Sequence, residues 1–577
     1  MREASTPPLA DLSSYRNVTD LLQRREELAP QHAAFDVAVG DGSWRTVSTS
    51  AFADEVRAAA KGLIAAGLTP GQSVAIMSAT RYEWAVADLA IWFAGGVVVP
   101  VYDSSAPGQV AAIVADAQVR IAFSGDARAH AALSDAGVPL VVELDTGLTV
   151  LAAGGAEVAD EQLERARGHA EPGSPATIVY TSGTSGAPKG VVLTHENFLG
   201  QVLNIAAAYS DIVREDGNTV IFLPLAHVLA RGLQLICLAS GMRIAHLSAP
   251  SEVVASLAVL RPTFLVVVPR ILEKIIAAAG AKASDKRLDA LWSAALATAA
   301  EAGRAAEDRD ESGASTGRSL RLRRRFFDLL FYRRIRALMG GRLRYMLSGG
   351  AALSGRLSLV FRGMGIPVIE GYGLTETTAP LTGNLPGAIR SGTVGVPLPL
   401  STVRISDDGE VLARGVGVFA GYRDPSDDAG AFVDGFFRTG DLGRLDDHGR
   451  LVLEGRLKDV VTTSHGKTVT PARWEAAIEQ HPLVASAITV GEGRPYLTAL
   501  IVLDPDAAPP ADARERDAVI QRAVDEANAL VSRSEQVRRF ALVTADAEDR
   551  EVVTPTLKIR RRELLHRESD TVDALYR

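Results

Sequence analysis

The sequence predicts an α/β fold in two parts: a large multi-subdomain N-terminal part with parallel-rich sheets and covering helices, and a small α+β C-terminal part. Three observations carry that expectation. The chain has 577 residues, more than one hydrophobic core serves, so two or more domains follow. From about Phe52 to Leu265, short β-branched runs alternate with stretches of helical spacing, the pattern of β–helix–β units in parallel sheets. Beyond Arg456 the pattern changes to short strands and helices in the α+β manner.

Taken in order, Ala53 to Ala66 has helical spacing, and Gly71-Gln72 leads into an apolar strand from Ser73 to Met77. Glu83 to Phe93 reads as a helix. Gly95-Gly96 then gives way to a β-branched strand, Val97 to Val99, ended by Pro100. Thr219 to Leu247 is mostly apolar, suited to a core or to lining an alkyl tunnel. Glu301 to Thr316 is rich in Ala, Gly and acids and reads as a solvated helix end followed by a loop. Arg318 to Arg336 holds eight arginines interleaved with Leu and Phe. After a boundary placed near Arg456 to Asp459 come a helix from Pro471 to Gln480 and strands at Ala485 to Val490 and Leu497 to Val502. A turn at Ala507 to Ala511 and further helices follow. No repeat at a fixed period occurs, which disfavours a solenoid.

Composition narrows the function classes. With 47% hydrophobic and 23% charged residues, the chain is a folded soluble type. A net charge of −8 argues against general nucleic-acid binding. The single cysteine, Cys237, excludes an intrachain disulfide and a thiolate zinc site and suits a reducing cytoplasm. The opening MREASTPPLADL lacks a secretory h-region. Apolar stretches such as Leu89 to Tyr102 fall short of the ~18 residues that span a bilayer. The closing DALYR carries no lipidation or peroxisomal address. The expected location is the cytoplasm. The bases divide into 53 Arg and 8 Lys, so each lysine invites a reason.

Tyr180 to Gly190 reads YTSGTSGAPKG between two apolar strands. Its glycines admit positive φ, so successive N–H groups can converge on one anion. Thr181, Ser182, Thr184 and Ser185 add hydroxyls, and Lys189 adds a point charge. The string is a polyphosphate cradle without being a Walker A loop. It resembles the phosphate-loop motif of the adenylate-forming (AMP-dependent synthetase/ligase) superfamily, which includes acyl- and aryl-CoA ligases, nonribosomal adenylation domains and beetle luciferases.

The resemblance extends along almost the whole chain. It implies ATP as cofactor, bound by Thr181, Ser182, Gly183, Thr184, Ser185, Gly186 and Lys189. Leu223 to Arg231 (LPLAHVLAR) matches the motif before the acyl pocket and places His227 near the substrate carboxylate; it lacks the Asp of amino-acid-activating relatives. Ser348 to Leu353 (SGGAAL) matches the turn lying against adenine, at Gly350 and Ala351, with Ala352 where Pro is usual. In Gly371 to Glu376 (GYGLTE), Gly371 and Gly373 let backbone approach the nucleotide and Tyr372 stacks. Thr375 donates to the α-phosphate, and Glu376 offers a hard oxygen to Mg²⁺. Arg438 to Asp441 (RTGD) and Gly455 to Asp459 (GRLKD) match the ribose and hinge motifs. Asp441 and Arg456 would then hold the ribose, and Lys458 would be the pivot of a mobile C-terminal lid. Thr554 to Arg562 (TPTLKIRRR) matches the terminal lysine motif, giving Lys558 the developing charge on α-phosphate and pyrophosphate. Ser464, Gly466 and Lys467 would face the coenzyme A channel. Three of the eight lysines thus fall in the phosphate loop, pivot and terminal motif, and Lys467 follows the pivot loop. A compact ammonium on a flexible stem suits such moving positions.

Arg261 to Lys274 (RPTFLVVVPRILEK) and the long basic-helical insertion resemble the long-chain fatty acyl-CoA ligase branch. That implies a fatty acid and coenzyme A as partners. Alternatives are transfer to an acyl carrier protein, an aryl or medium-chain acid, and a non-catalytic nucleotide-binding regulator. Arg318 to Arg336 admits two readings: an ordinary helix with a solvated Arg face, or a peripheral contact with the inner membrane surface. The overall acidity opposes nucleic acid on that helix.

Overall fold

The computed structural model describes residues 1–40, 42–182, 188–248, 252–505, 507, 512–545, 549, 552–553 and 559–577, without the side chains of 182 and 254. Among these, the chain up to Arg456 builds three sheets. The first runs, in spatial order, Gly421–Tyr422, Pro188–Thr194, Pro175–Ser182, Val97–Val101, Ser73–Met77, Ile121–Ser124 and Leu140–Glu143. The second has nine strands. Six of them are mutually parallel: Ala33–Ala38, Arg243–His246, Asn218–Ile221, Phe264–Val267, Tyr345–Ser348 and Val368–Tyr372. The third is antiparallel and joins Glu3–Thr6, Ser401–Ile405, Glu410–Gly415, Phe436–Leu445 and Leu451–Arg456. Parallel-rich sheets under helices thus make the large part, as the alternating pattern predicts.

Burial explains the helix between the first two strands of that pattern. Tyr82–Phe93 is apolar on nearly every side and nearly every residue is buried, including Trp84, Trp92 and Phe93, because helices Thr19–Leu28, Thr49–Ala65 and Asp160–Arg167 and strands Ser73–Met77 and Val97–Val101 pack around it. Thr49–Ala65 instead buries one stripe, Phe52, Ala53, Val56, Ala60 and Leu63. Strand Ser73–Met77 has the predicted bounds, and the next strand differs. It runs through Pro100 to Val101, pairing Ile76 with Pro100. Its other neighbour is registered only at Val98 with Thr177, so no ladder donor is asked of the proline.

The acid-rich tail read as solvated is docked. Helix Asp289–Ser312 ends within it and 313–316 form the expected loop, but the helix end is not simply solvated: Glu307 is buried, and Asp310 and Glu311 pair with Arg362 and Arg450 from distant segments. Long-range pairing overrides local polarity here. The arginine-rich stretch forms helix Arg318–Phe327, a π-turn at Asp328–Tyr332 and a short helix Arg333–Leu338.

Among the described residues after Arg456, strands pair only among themselves: a hairpin Val461–Thr462 with Thr468–Val469, and a sheet of Val484–Val490, Leu497–Leu503 and Val537–Thr544. Helices Ala472–Ile478 and Ala513–Asn528 cover a separate core around Trp474, Ile501 and Ile520. The predicted turn Ala507–Ala511 lies largely outside the described residues.

Candidate functional site

The phosphate-loop string sits at the tip of an antiparallel hairpin. Strands Pro175–Ser182 and Pro188–Thr194 register Thr181 with Lys189 and Ser182 with Pro188. Gly183, Thr184, Ser185 and Gly186, between them, lie outside the described residues. The hairpin is anchored from both sides. The Tyr180 hydroxyl donates to Asp116, and Arg423 N donates to Gly190 O at 2.7 Å. Burial and the neighbouring Asp116 carboxylate push the Tyr180 phenol up, so it stays a donor.

Lys189 Nζ lies 2.7 Å from Asp427 Oδ1 and 5.4 Å from the centroid of the Tyr422 ring. Tyr422 belongs to the strand paired with Val191–Val192, and its hydroxyl donates to Glu376 Oε1 at 3.1 Å. Glu376 is held in a 3₁₀ turn, Thr375–Thr377. Burial raises its carboxyl pKa, and the Tyr422 hydroxyl and Arg456 oppose the rise. Gly373, just before that turn, has no room for a side chain: a Cβ would stand 2.9 Å from Leu381 N and Pro380 Cα. The sharp entry to Glu376 therefore requires glycine.

A second group adjoins the first. The Tyr372 hydroxyl donates to Asp441 Oδ2 at 2.6 Å, and Arg456 Nε lies 3.0 Å from Asp441 Oδ1. Asp441 is the register partner of Arg456, so the hinge-motif arginine reaches it across one strand pair. The turn carrying Asp441 is fixed by Glu410, whose carboxylate receives Arg438 Nε at 2.8 Å and Gly440 N at 3.0 Å. Burial and Asp441 push the Tyr372 phenol well up. GYGLTE, RTGD and the hinge thus meet in one place.

His227 caps helix Val228–Ser240, its Nδ1 accepting from Leu229 N at 3.2 Å. The helix lies against both nucleotide-motif turns: a Cβ on Gly349 would meet Leu229 at 3.2 Å, and one on Gly232 would find only the Ala379 carbonyl, at 3.9 Å. Gly350 has φ +81°, a conformation that suits glycine, and Ala351 follows it in the same turn.

Among the described residues, the other predicted positions make no hydrogen bond or ion pair with these groups. Lys458 is exposed in the 3₁₀ turn Leu457–Asp459. Ser464, Gly466 and Lys467 are exposed at the tip of the hairpin after it, where Ser464 N donates to Arg494 O at 2.9 Å and Lys467 faces Glu535. Among the described residues no hydrogen bond or ion pair links them to Glu376 or Asp441. Lys558 lies outside the described residues.

Four contributors escaped sequence reasoning. Tyr422, Asp427 and Glu410 have no local signature, since each acts on a partner distant in sequence. Arg231 did leave a signal, an arginine in the middle of an apolar helix. It is 1% exposed and binds Asp88, 0% exposed, at 2.6 and 2.9 Å. Its third nitrogen donates to Thr177 Oγ1 at 2.8 Å, and its guanidinium lies 4.5 Å from the Trp92 ring centroid. The strand leading to the phosphate hairpin is thereby tied to the helix that His227 caps.

Comparison with known proteins gives the following. The AMP-binding enzyme family matches residues 22–423, and the AMP-binding enzyme C-terminal domain family matches residues 458–577. Long-chain-fatty-acid--CoA ligase FadD15 of Mycobacterium bovis is 36% identical over 604 aligned positions, covering 100% of both chains. Its Mycobacterium tuberculosis counterpart is 35% identical with the same coverage. Among solved structures, ATP-bound MatB from Rhodopseudomonas palustris superposes with a TM-score of 0.71 at 23% identity, covering 96% of this chain and 99% of its own. At that identity the likeness is one of fold.

Proposed function

Because the chain belongs to the AMP-binding enzyme family, we propose that it is a long-chain fatty acid–CoA ligase that forms AMP. The observation that carries this reading is the convergence of Tyr372, Glu376, Asp441 and Arg456 at one place, in a chain matched end to end by long-chain ligases.

A free carboxylate is a poor acyl donor because attack on it must expel oxide. In the first half-reaction a carboxylate oxygen attacks the α-phosphorus of ATP, the bond to the bridging β-oxygen breaks, and pyrophosphate leaves with the electron pair. In the second, the thiolate of coenzyme A attacks the acyl carbon, the bond to the phosphate oxygen breaks, and AMP leaves; the thiol proton goes to solvent. Neither step needs covalent help from the protein, so positioning and charge neutralisation do the work.

In this reading Asp441 and Arg456 hold the ribose and Tyr372 lies against the base, with Gly350, Ala351, Gly371 and Gly373 giving backbone room. Lys189 exchanges Asp427 for the polyphosphate, beside Thr181 and the loop 182–186. Thr375 donates to the α-phosphate, and His227 orients the acid at the mouth of the pocket. Glu376 fits Mg²⁺: it is a half-buried carboxylate whose burial favours the protonated form, so a cation would relieve it. The described residues hold no cluster of three candidate ligands, which matches the usual Mg²⁺ habit of taking one carboxylate, phosphate oxygens and water. Bound there, the ion neutralises polyphosphate charge. Lys558 enters for the first half-reaction, and the residues beyond 455 turn about Lys458 to bring Ser464, Gly466 and Lys467 to the thiol channel for the second. Support for a pivot at Lys458 is its exposure in a single turn, after which the strands of the described residues pair only among themselves.

The test is pyrophosphate release and AMP release over a graded series of acids, with and without coenzyme A, in wild type and Lys558→Ala. Long-chain acids should give the highest kcat/KM, and AMP release should require coenzyme A. Lys558→Ala should lose pyrophosphate exchange by a factor of about 10² or more while still transferring acyl from preformed acyl-AMP. Exchange at the wild-type rate would remove Lys558 from the chemistry, and AMP release dependent on an acyl carrier protein instead would move the second half-reaction to that acceptor. The described residues include no helix long and apolar enough to cross a membrane.

A further inference from the structure

Behind the nucleotide-motif turns, two carboxyls and two serine hydroxyls touch in a row that the serine hydrogens alone cannot fill. Glu370, on strand Val368–Tyr372, and Glu307, on helix Asp289–Ser312, are 5% and 1% exposed. Ser358, on helix Gly355–Gly363, is equally buried. Ser391, from the segment 384–395, stands between them. Its hydroxyl lies 2.5 Å from Glu307 Oε1 and 2.8 Å from Ser358 Oγ, and its N–H donates to Glu307 Oε1 at 2.9 Å. Ser358 in turn faces the Glu370 carboxyl, beside the Gly392 N–H.

The row has three oxygen–oxygen contacts, and each serine brings one hydrogen. Were both carboxyls ionised, Ser358 would donate to Glu370 and Ser391 to Glu307. Two oxygens would then face each other at 2.8 Å with no hydrogen between them. The third hydrogen therefore comes from a carboxyl. Glu307 is the ionised one: besides accepting from Ser391, it has Arg304 at 3.7 Å and Arg390 at 3.8 Å from Oε2. The charged group facing Glu370 is Glu307 itself, and no cation among the described residues offsets it. Strand Tyr345–Ser348 offers Glu370 its register partner Ser348, and helix Gly355–Gly363 offers Ser358. Asp308 and Glu311 bear on Arg390 instead. Glu370 Oε1 has no hydrogen-bond partner among the described residues, which a neutral acid tolerates far better than a buried anion. Burial pushes the Glu370 carboxyl pKa up to about 8, in the same direction.

We propose that the Glu370 O–H, Ser358 and Ser391 form a one-directional hydrogen-bond relay ending on the Glu307 carboxylate, and that Glu370 is a positioning residue whose proton keeps the nucleotide turns closed on the nucleotide. The inference rests on the reading that these turns hold AMP and ATP. The path to them is short. Glu370 directly precedes Gly371 and Tyr372, and Ser348 directly precedes Gly349 and Gly350. Gly371–Tyr372 pair with Thr382–Gly383, which pair with Val396–Pro397 just beyond Ser391. Asn384 fastens the same segment, its N–H donating to Glu370 O at 2.9 Å and its side chain to Thr393 O at 2.8 Å. Loss of the proton sets a second negative charge beside Glu307 and empties one contact of its hydrogen. The segment 384–395 then parts from helix Gly355–Gly363, and the turns loosen. The grip is complete well below pH 8 and declines as pH rises through about 8.

The experiment is calorimetric binding of AMP to the full-length protein between pH 7 and 9.5, above the second phosphate pKa of about 6. The forms compared are wild type, Glu370→Gln, Ser391→Ala and Ser391→Thr. Wild type should lose at least about fivefold in affinity across the range. The amide of Glu370→Gln donates to Ser358 as the acid does and has no proton to lose, so its affinity should match wild type at pH 7 and stay level. Ser391→Ala should bind about fivefold more weakly at pH 7, Ser391→Thr should not, and the KM for the acid substrate should be unchanged throughout. A level wild-type profile, or one that falls as steeply in Glu370→Gln, overturns the relay and leaves the nucleotide site standing. So does Ser391→Ala binding as wild type, or a rise in the KM for the acid equal to the loss of AMP affinity. Wild type that binds no AMP at any pH overturns the nucleotide reading of the turns, and the relay with it.

Discussion

Glu370 precedes the glycine that opens the GYGLTE turn and is 5% exposed. Burial pushes its carboxyl pKa up to about 8 from 4.5; Glu307 adds to the rise, while the Gly392 N–H and Ser358 hydroxyl oppose it. The folded value exceeds the unfolded one, so the folded chain binds this proton more tightly. Its contribution to stability is complete below pH 4.5 and is lost as pH rises through about 8, at about 1.4 kcal/mol per pH unit. Glu370→Gln keeps an acceptor and removes the titration. Its melting temperature should gain steadily on wild type between pH 5 and 8.5; melting curves that fall in parallel would show that Glu370 does not hold its proton. No sequence reading singles out Glu370. Its neighbours Ser358 and Glu307 lie on separate helices, and only the tertiary fold brings a second carboxylate to it. Tyr372, Glu376, Asp441 and Arg456 were legible because each sits inside a short string whose order is itself informative. Asp427, which holds Lys189, sits in none.

At the scale of elements, the alternating pattern reads well where burial follows the local period, as in Ser73–Met77 and Tyr82–Phe93. It fails where a remote partner decides. The acid end of Asp289–Ser312 has the composition of a solvated tail, yet its carboxylates find Arg362, Arg390 and Arg450. The same helix packs closely on Gly355–Gly363: a methyl at Gly363 would overlap the Ala299 carbonyl, and one at Gly303 the Leu359 carbonyl. Backbone, not flexible side chain, occupies that space. Gly363→Ala should therefore destabilise the protein by about 1–3 kcal/mol, read as a lowered denaturant midpoint, whereas Gly313→Ala, with nothing within 4 Å, changes little beyond the strain of its own positive φ. Equal midpoints for Gly363→Ala and wild type would mean the two helices can separate freely.

For the whole molecule, the division into a large and a small part was readable from the change of pattern, but the contact between them was not. Arg270, at the start of helix Pro269–Ser284, pairs with Asp504 beyond the strand Leu497–Leu503. Arg270 is 24% exposed and Asp504 11%, so the pair is only partly screened, and after the cost of desolvation its net worth is on the order of 1 kcal/mol. That suffices to bias two orientations of the small part. Arg270→Ala should change the ratio of adenylation to thiol-transfer rates in single turnover by about twofold to fivefold, with the effect shrinking in high salt; Arg514→Ala, an exposed control, should leave the ratio alone. Equal slowing of both half-reactions by Arg270→Ala would separate the ion pair from domain orientation.

The strand Glu3–Thr6 has a consequence for how the chain comes into being. It completes one edge of the antiparallel sheet by pairing with Ser401–Ile405, Glu3 facing Arg404. During synthesis it has no partner in this sheet until about 400 more residues have been joined. At roughly 5–20 residues per second that is a wait of about 20–80 s. The packing around it obeys the same delay, for Val18 and Leu22 share a core with Val403, Val411 and Ala413. Synthesis of the large part is therefore nearly finished before its sheet can close, and a nascent chain halted before residue 401 would present apolar surface that belongs inside.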